Sequence, residues 1–479
     1  MFYKISRQSR RVLDNIKCVF ILLWKMSKKV RLSMINLGCN KNLVDSQLFL
    51  WKLLSENIDN AEYFSNPYDK NVEIVLLNTC SFISSWREEM FKTVDKLISL
   101  NKKVCIIWCG VQYFEKLLKT RNVLDDVSKS ELNRRETLLQ NNNIFYLSWN
   151  DLSIANLKSI TSRSNKFNDF CRYSAPRLLT NYENRYEYLK IAEWCNNSCA
   201  FCIIPQIRWK LTSLPIQKVV KEAESLLQQW VEELIIVAQD TMRYWTDYSS
   251  KSQLLPLLHQ LDKLPYDFKY RILYLYPDIL TLKQLEDFAT LEKFIPYFDI
   301  PLQHISPKLL KSMWRFYDDK MIHLLLKWIR KLFPKAFIRT NIIIWFPWET
   351  DEDVELLERF LDEDYFDNIA LFEYHDEPLA LSSIFENKVP ESTIHSRFNV
   401  ICRQVDKLLK SHEKKRKSEN QIWFVEGIEQ KNNKINLTIR PEVNCPEIDP
   451  VDNIKLDNVI QCFDWDEIDI WSKVEYLLN

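Results

Sequence analysis

The sequence predicts an α/β chain in three parts: a parallel sheet covered by helices, a partial (β/α)6 barrel, and a small terminal β-barrel. Three observations carry that expectation. Strand-like and helix-like patterns alternate from Lys29 to about Leu147, and again from Tyr188 to about Tyr374. A polar, irregular stretch, Asp151–Asn184, separates the two series. After about residue 420 short apolar runs are broken by Asn, Pro and Asp, the mark of short strands joined by turns. A chain of 479 residues has room for about three domains, each on the order of 100–200 residues.

In the first part, Val30–Asn36 leads into Gly38-Cys39 and an amphipathic helix near Leu43–Leu54. Val72–Leu77 leads into Asn78-Thr79-Cys80 and a helix near Glu88–Leu100, and Val104–Ile107 into Cys109-Gly110 and another helix. Alternation of this kind gives a parallel sheet with helices on both faces, and ligands bind such sheets at the carboxyl ends of the strands. Cys39, Cys80 and Cys109 follow three successive strands, so they converge although they lie 41 and 29 residues apart. They are read as a cluster site; buried apolar cysteines are the plainer alternative.

In the second part, strands are expected near Leu189–Ala192, Glu233–Ala238, Tyr270–Leu275, Phe298–Leu302, Phe337–Ile344 and Ile369–Phe372. Helices such as Val219–Gln229 and Asp351–Asp362 lie between them. Six units make an incomplete version of the eight-unit barrel. Cys195-x3-Cys199-x2-Cys202 follows the first strand, at the catalytic mouth. Three thiolates at this spacing can hold three irons of a cubane and leave the fourth open, whereas an electron-transfer cluster normally takes four cysteines.

Composition narrows the rest. Lys+Arg and Asp+Glu balance at 65 each, so no overall basic field points to nucleic acid; the run Lys414–Lys417 reads as a solvated helix face. Twelve cysteines without a credible export signal indicate a reducing compartment, and a cytoplasmic protein is expected. The apolar run Cys18–Trp24 is too short to span a bilayer, and Met26 is a credible alternative start. Cys18, Cys105, Cys171, Cys402, Cys445 and Cys462 are read as structural. So are His304, Tyr274 and Tyr276, and Asp376-Glu377 receives no catalytic role.

The glycine count conflicts with this fold. The chain has 3 glycines and 16 tryptophans, whereas average usage of about 7% gives roughly 34 glycines. Trp345-Phe-Pro-Trp348 stands where a strand must turn into a helix, and Trp230 where a helix wants a left-handed cap. Many tryptophans are therefore expected to be glycines in the cell, rendered as tryptophan from a reassigned stop codon. A naturally tryptophan-rich protein is the alternative.

Together these motifs resemble one family, the radical-SAM methylthiotransferases, from Met26 to the end. The resemblance rests on Asn36–Ser46, Asn78–Cys80, Cys109–Gln112, Ala192–Arg208, Tyr274–Pro277, Asp299–His304 and Arg440–Asp449, in that order and spacing. It departs mainly at glycine, where Trp194, Trp209, Trp345 and Trp348 stand instead.

The resemblance implies two [4Fe-4S] clusters and S-adenosylmethionine as cofactors. Cys195, Cys199 and Cys202 would hold the cluster that binds S-adenosylmethionine, and Cys39, Cys80 and Cys109 the cluster that delivers sulfur. The branch it resembles most adds a methylthio group to an aspartate β-carbon in the twelfth protein of the small ribosomal subunit. A flavodoxin- or ferredoxin-type electron donor is implied as a second partner, with no membrane, and the terminal barrel resembles a TRAM domain. The expected division is 1–27 as a non-native or disordered extension, 28–150 as the methylthiotransferase domain, 151–184 as linker, 185–415 as the radical-SAM domain and 416–479 as the TRAM-like barrel. The rivals are methylthiolation of adenosine in transfer RNA and, from another class, a non-catalytic metal-cluster protein.

Overall fold

The computed structural model of the protein describes residues 30–56, 61–119, 126–141, 143–147, 177–180, 184–207, 210–417, 423–431 and 434–457. The 1–27 extension, most of the 151–184 linker, Trp209, and Cys18, Cys171 and Cys462 lie outside the described residues. Two compact units emerge. One draws on Met1–Thr180, Lys190–Glu222 and His375–Phe385, the other on Asn181–Leu189, Ala223–Tyr374 and Glu386–Asn479.

The first unit begins β1 (Val30–Asn36), α1 (Asn40–Glu56), β2 (Ala61–Tyr63), β3 (Ile74–Thr79), α2 (Ser84–Ser99) and β4 (Lys103–Trp108). It continues α3 (Cys109–Lys119), α4 (Asp126–Leu139) and β5 (Ile144–Leu147). The sheet order is β2-β1-β3-β4-β5, parallel throughout. Every residue of β3 is buried, as a parallel strand covered on both faces requires. Strand order reverses between β1 and β3, the switch point where such sheets bind ligands. Helix α2 packs Met90, Phe91, Val94 and Leu97 into a core shared with Val104, Tyr113 and Phe114. It starts at Ser84 rather than near Glu88 because the Glu377 carboxylate accepts the Ser84 N–H at 2.9 Å. That distant cap satisfies one of the helix's orphan donors.

The chain then runs through β6 (Tyr186–Lys190), β7 (Ala192–Glu193), α5 (Ile204–Ile207), β8 (Thr212–Ser213), α6 (Ile216–Leu227), β9 (Glu233–Val237) and α7 (Leu254–Asp262). Next come β10 (Lys269–Ile272), α8 (Leu282–Phe288), β11 (Phe294–Gln303), α9 (Pro307–Ser312), α10 (Asp319–Leu332) and β12 (Phe337–Ile344). Finally come α11 (Asp351–Leu361), β13 (Asn368–Glu373) and α12 (Glu391–Lys417). The second unit's six-stranded sheet has the sequential order β13-β12-β11-β10-β9-β6, with parallel pairing from β9 to β13. This is the partial (β/α)6 arrangement expected from the sequence. Tyr297 stacks on Phe337 with ring centroids 5.1 Å apart, and Asp299 accepts from Arg339 at 2.8 Å.

After α12 come β14 (Trp423–Lys431), β15 (Lys434–Pro441) and β16 (Asp452–Asp457), a three-stranded antiparallel sheet. The β15–β16 connection carries Cys445, fully buried, whose N–H is accepted by Asp449 at 2.7 Å. Asp449 also accepts from Asn368 on β13. No helix among the described residues is long and apolar enough to cross a membrane.

Candidate functional site

Cys39, Cys80 and Cys109 stand just past the carboxyl ends of β1, β3 and β4, on either side of the switch point. Cys80 and Cys109 are buried and Cys39 is partly exposed. One side chain touches two of them: Asn42, fully buried on α1, has Oδ1 3.7 Å from Cys39 Sγ and Nδ2 3.8 Å from Cys109 Sγ. Asn78 accepts from Asn42 Nδ2 at 3.2 Å and donates to Ser46 Oγ at 2.6 Å and to Asn42 O at 2.7 Å. Thr79 Oγ1 accepts the Gly110 N–H at 3.2 Å and donates to Ile107 O at 3.1 Å. Thus the motif residues between Asn36 and Ser46 and between Asn78 and Cys80 form one buried polar net under the thiols.

Cys195, Cys199 and Cys202 lie on the loop between β7 and α5, all partly exposed. The loop is pinned in three places. Asn196 Oδ1 accepts from Leu211 N at 2.9 Å, Cys199 O from Cys202 N at 3.1 Å, and Ala200 O from Ser382 N at 2.8 Å. The Asn197 N–H points at Cys195 Sγ, 3.3 Å away. Trp194, directly before the first cysteine, has φ 64°.

Both triads belong to the first unit. Cys109 and Ile203, the residue after Cys202, sit in one apolar core with Val111, Phe114 and Ile207. Buried Lys190, at the end of β6, pairs with Asp45 on α1 and with Glu193 on β7. Sequence reading missed this trio, since only Asp45 falls in a motif near the first triad. Thiolates are the donors that iron–sulfur clusters take, and each set stops at three, so the residues present fit the clusters. Among the described residues no three His, Cys, Asp or Glu side chains meet closely enough to hold a single ion.

The residues set aside from the sequence are tied into structure. His304 is fully buried; its Nδ1 accepts the Ser306 N–H at 3.0 Å, and burial pushes its pKa down to about 4. Cys105, fully buried inside β4, has its thiol pushed up to about 12 by burial, and burial likewise raises Cys445. Glu377, besides capping α2, accepts from Arg87 at 2.8 Å with both side chains buried.

Family models match in two places: the radical SAM superfamily over residues 189–361, and the family described as UPF0004, uncharacterized, over residues 31–128. Each match contains one triad. Among curated relatives, the ribosomal protein uS12 methylthiotransferase RimO of Chlamydia pneumoniae is 33% identical over 427 residues, covering 88% of this chain and 87% of that one. The RimO of Dictyoglomus thermophilum is 34% identical, covering 77% and 80%. That of Nitratiruptor sp. is 30% identical, covering 91% and 96%. Among solved structures, the cobalamin-dependent radical enzyme OxsB aligns with a TM-score of 0.49 at 10% identity, covering 76% of this chain and 56% of that one. With 33–34% identity over at least 77% of this chain and 80% of the relative, the chain belongs to the RimO family of radical-SAM methylthiotransferases.

Proposed function

We propose that this enzyme adds a methylthio group to the β-carbon of an aspartate in ribosomal protein uS12, the substrate its relatives' names carry. The observation that carries the reading is the company the triads keep: both lie in one compact unit, and Cys109 and Ile203 share a core.

When bound, the two [4Fe-4S] clusters and S-adenosylmethionine supply the radical, the sulfur and the methyl group, chemistry that side chains lack. Cys195, Cys199 and Cys202 would hold the cluster that takes S-adenosylmethionine, and Cys39, Cys80 and Cys109 the one that delivers sulfur. Three ligands leave one position open on each. The chain's own contribution is placement. Lys190 bridges Asp45, six residues past Cys39, to Glu193, two before Cys195, which locks the two cysteine loops to a common frame. Orientation of that kind is worth several kcal/mol in reactions between held groups, up to about 7–11.

The same reading extends to parts that the family alone does not fix. The three-stranded C-terminal sheet would be part of a TRAM-like barrel that holds the substrate, with domains at 28–150, 185–415 and 416–479. A flavodoxin- or ferredoxin-type protein would supply electrons, and the enzyme would work in the cytoplasm. The equal counts of basic and acidic residues support a protein substrate over transfer RNA, whose binding draws on a basic surface.

Anaerobic reconstitution followed by parallel assays on uS12 and on transfer RNA tests the proposal. About eight irons per chain are expected, since two cubanes hold that many, with methylthiolation of uS12. Modification of transfer RNA alone defeats the substrate, and protein holding zinc without iron defeats the clusters.

A further inference from the structure

The amide of Asn42 faces two thiols of the first triad, and its orientation is fixed by what surrounds it. Asn78 spends its own amide hydrogens on Asn42 O and Ser46 Oγ, at 2.7 and 2.6 Å. Its Oδ1 therefore receives Asn42 Nδ2 at 3.2 Å, and Thr79 O lies 3.3 Å from the same nitrogen. This leaves Nδ2 as the atom turned toward Cys109, 3.8 Å from its sulfur, and its two hydrogens serve three acceptors, so the sulfur shares one of them with Asn78 Oδ1 or Thr79 O. A carboxamide can be assigned either way round from shape alone, so the network makes the assignment.

We propose that Asn42 is a positioning residue that donates its N–H to the Cys109 sulfur and thereby raises the reduction potential of the cluster on Cys39, Cys80 and Cys109. The inference rests on the proposal that this triad holds a cluster. Hydrogen bonds to cluster sulfurs set potential because they stabilise the more negative, reduced state. Ligation turns Cys109 into a thiolate, and a bond to a charged acceptor is shorter and stronger than the contact to a neutral thiol. Cys39 loses its proton on ligation, so the Asn42 Oδ1 contact to it weakens while the donor side holds.

The test uses the full-length chain with Cys195, Cys199 and Cys202 replaced by alanine, so that a single cluster reports. It is reconstituted anaerobically with Asn42 intact, as Asn42→Asp and as Asn42→Ala. The midpoint potential is read by titration with electron paramagnetic resonance. About four irons per chain are expected with Asn42 intact, and both variants should titrate at more negative potential, aspartate more so than alanine. Absence of iron with Asn42 intact overturns the cluster reading itself. Iron present with an unchanged potential in the variants overturns the role of Asn42. Should the variants lose their iron, pulsed resonance on the intact-Asn42 protein labelled with 15N-asparagine decides. An exchangeable side-chain amide N–H coupled to the reduced cluster supports the proposal; coupling to backbone nitrogen alone, such as that of Asn40 beside Cys39, or no coupling at all, overturns it.

A second inference stands on the backbone alone. Trp194, Trp230, Trp245, Trp314, Trp345 and Trp348 have φ between 58° and 75°, and they are half of the twelve non-glycine residues with positive φ among those described. Bulky side chains rarely adopt that region, which asparagine, aspartate and above all glycine favour. The local hydrogen bonds name the motifs. Arg315 N binds Leu310 O at 2.8 Å and Trp314 N binds Lys311 O at 3.1 Å, a Schellman ending to α9 with Trp314 where glycine belongs. Glu349 N binds Phe346 O at 3.0 Å across Pro347-Trp348, a turn with Pro at its second position and positive φ at its third, the type II pattern that calls for glycine. Trp230, 88% exposed, makes its strained bend without burying its ring.

We infer that glycine occupies these six positions in the protein the organism makes. Trp245 and Trp314 extend the set beyond the turns that the sequence pattern marks. Peptide mass spectrometry of the protein from its own cells should return glycine at all six, and tryptophan there overturns the inference. In the recombinant chain, Trp230→Gly and Trp314→Gly should raise the melting midpoint. Trp86→Gly, inside α2 where glycine is unfavourable, should lower it. A lowered midpoint in both of the first two variants also overturns the inference.

Discussion

Arg440 donates to Glu233 at 2.6 Å, with both side chains 2% exposed although they stand 207 positions apart. Glu233 opens strand β9 of the barrel and pairs also with Arg271, while Arg440, next to last in β15, reaches Glu426 and Asn444 O. The pair fastens the C-terminal segment to the barrel within the second unit. Removing one partner of a buried pair leaves a desolvated charge, at a cost of about 3–5 kcal/mol. Arg440→Met should therefore lower the urea midpoint of the full chain markedly. Lys283→Ala, which breaks an exposed i,i+4 pair with Asp287, should leave the midpoint almost unchanged. Equal effects from the two would show that Arg440 acts only as surface charge.

Thiol chemistry should divide the cysteines by burial. Cys105 and Cys445 are fully buried, and burial raises both thiols, Cys105 up to about 12. The thiolate is the reactive form, so both should resist alkylation in native, metal-free protein at neutral pH. Cys39, Cys195, Cys199 and Cys202 are partly exposed and should react first. Peptide mapping after a short iodoacetamide pulse reads the order, and early labelling of Cys105 would contradict the packing of β4.

These two cases show what sequence alone could carry. The three strand-end cysteines were legible because alternating strands and helices fix where loops fall, and β12 matches its expected bounds, Phe337–Ile344. Strand β2 was not, since Ala61–Tyr63 is too short to show a period. The early start of α2 depends on Glu377, 293 residues away, and no local pattern announces a cap of that kind. Lys190 looked like any strand lysine until Asp45, 145 residues earlier, closed on it. Periodicity reports local structure; these long-range polar contacts leave no trace in it.

His304 should give the protein a measurable acid sensitivity. Burial lowers its pKa from 6.5 to about 4, with Asp353 opposing that shift and Lys308 adding to it. The folded state therefore favours the neutral ring. That contribution is fully present above about pH 6.5 and is lost as pH falls toward about 4, where the unfolded chain already binds the proton. His304→Asn keeps an acceptor for the Ser306 N–H but does not titrate. Between about pH 7 and about pH 5 the native chain should lose about 2 kcal/mol more than this variant. Parallel losses in urea unfolding would show that the ring is not held neutral.

The three glycines in the chain make a graded test of the first triad's surroundings. A Cβ on Gly38 would lie 2.3 Å from Asn42 Nδ2 and 2.5 Å from Asn42 Cβ, and one on Gly110 would lie 2.5 Å from Thr79 Oγ1. On Gly427 the nearest atom, Thr438 Cβ, is 3.6 Å away, an ordinary contact. Gly38→Ala must displace Asn42 from Cys39 and Cys109, and Gly110→Ala must push Thr79 Oγ1 off both Ile107 O and the N–H of residue 110. Overpacking of this sort costs about 1–3 kcal/mol, spent directly beneath the thiols. Both variants should reconstitute with roughly half the iron of the parent, because the second triad is untouched and each cubane holds about four irons. Gly427→Ala should bind the full amount. If Gly38→Ala also retains full iron, then Asn42 has room to move, and the close packing under the first triad does not govern how it holds metal.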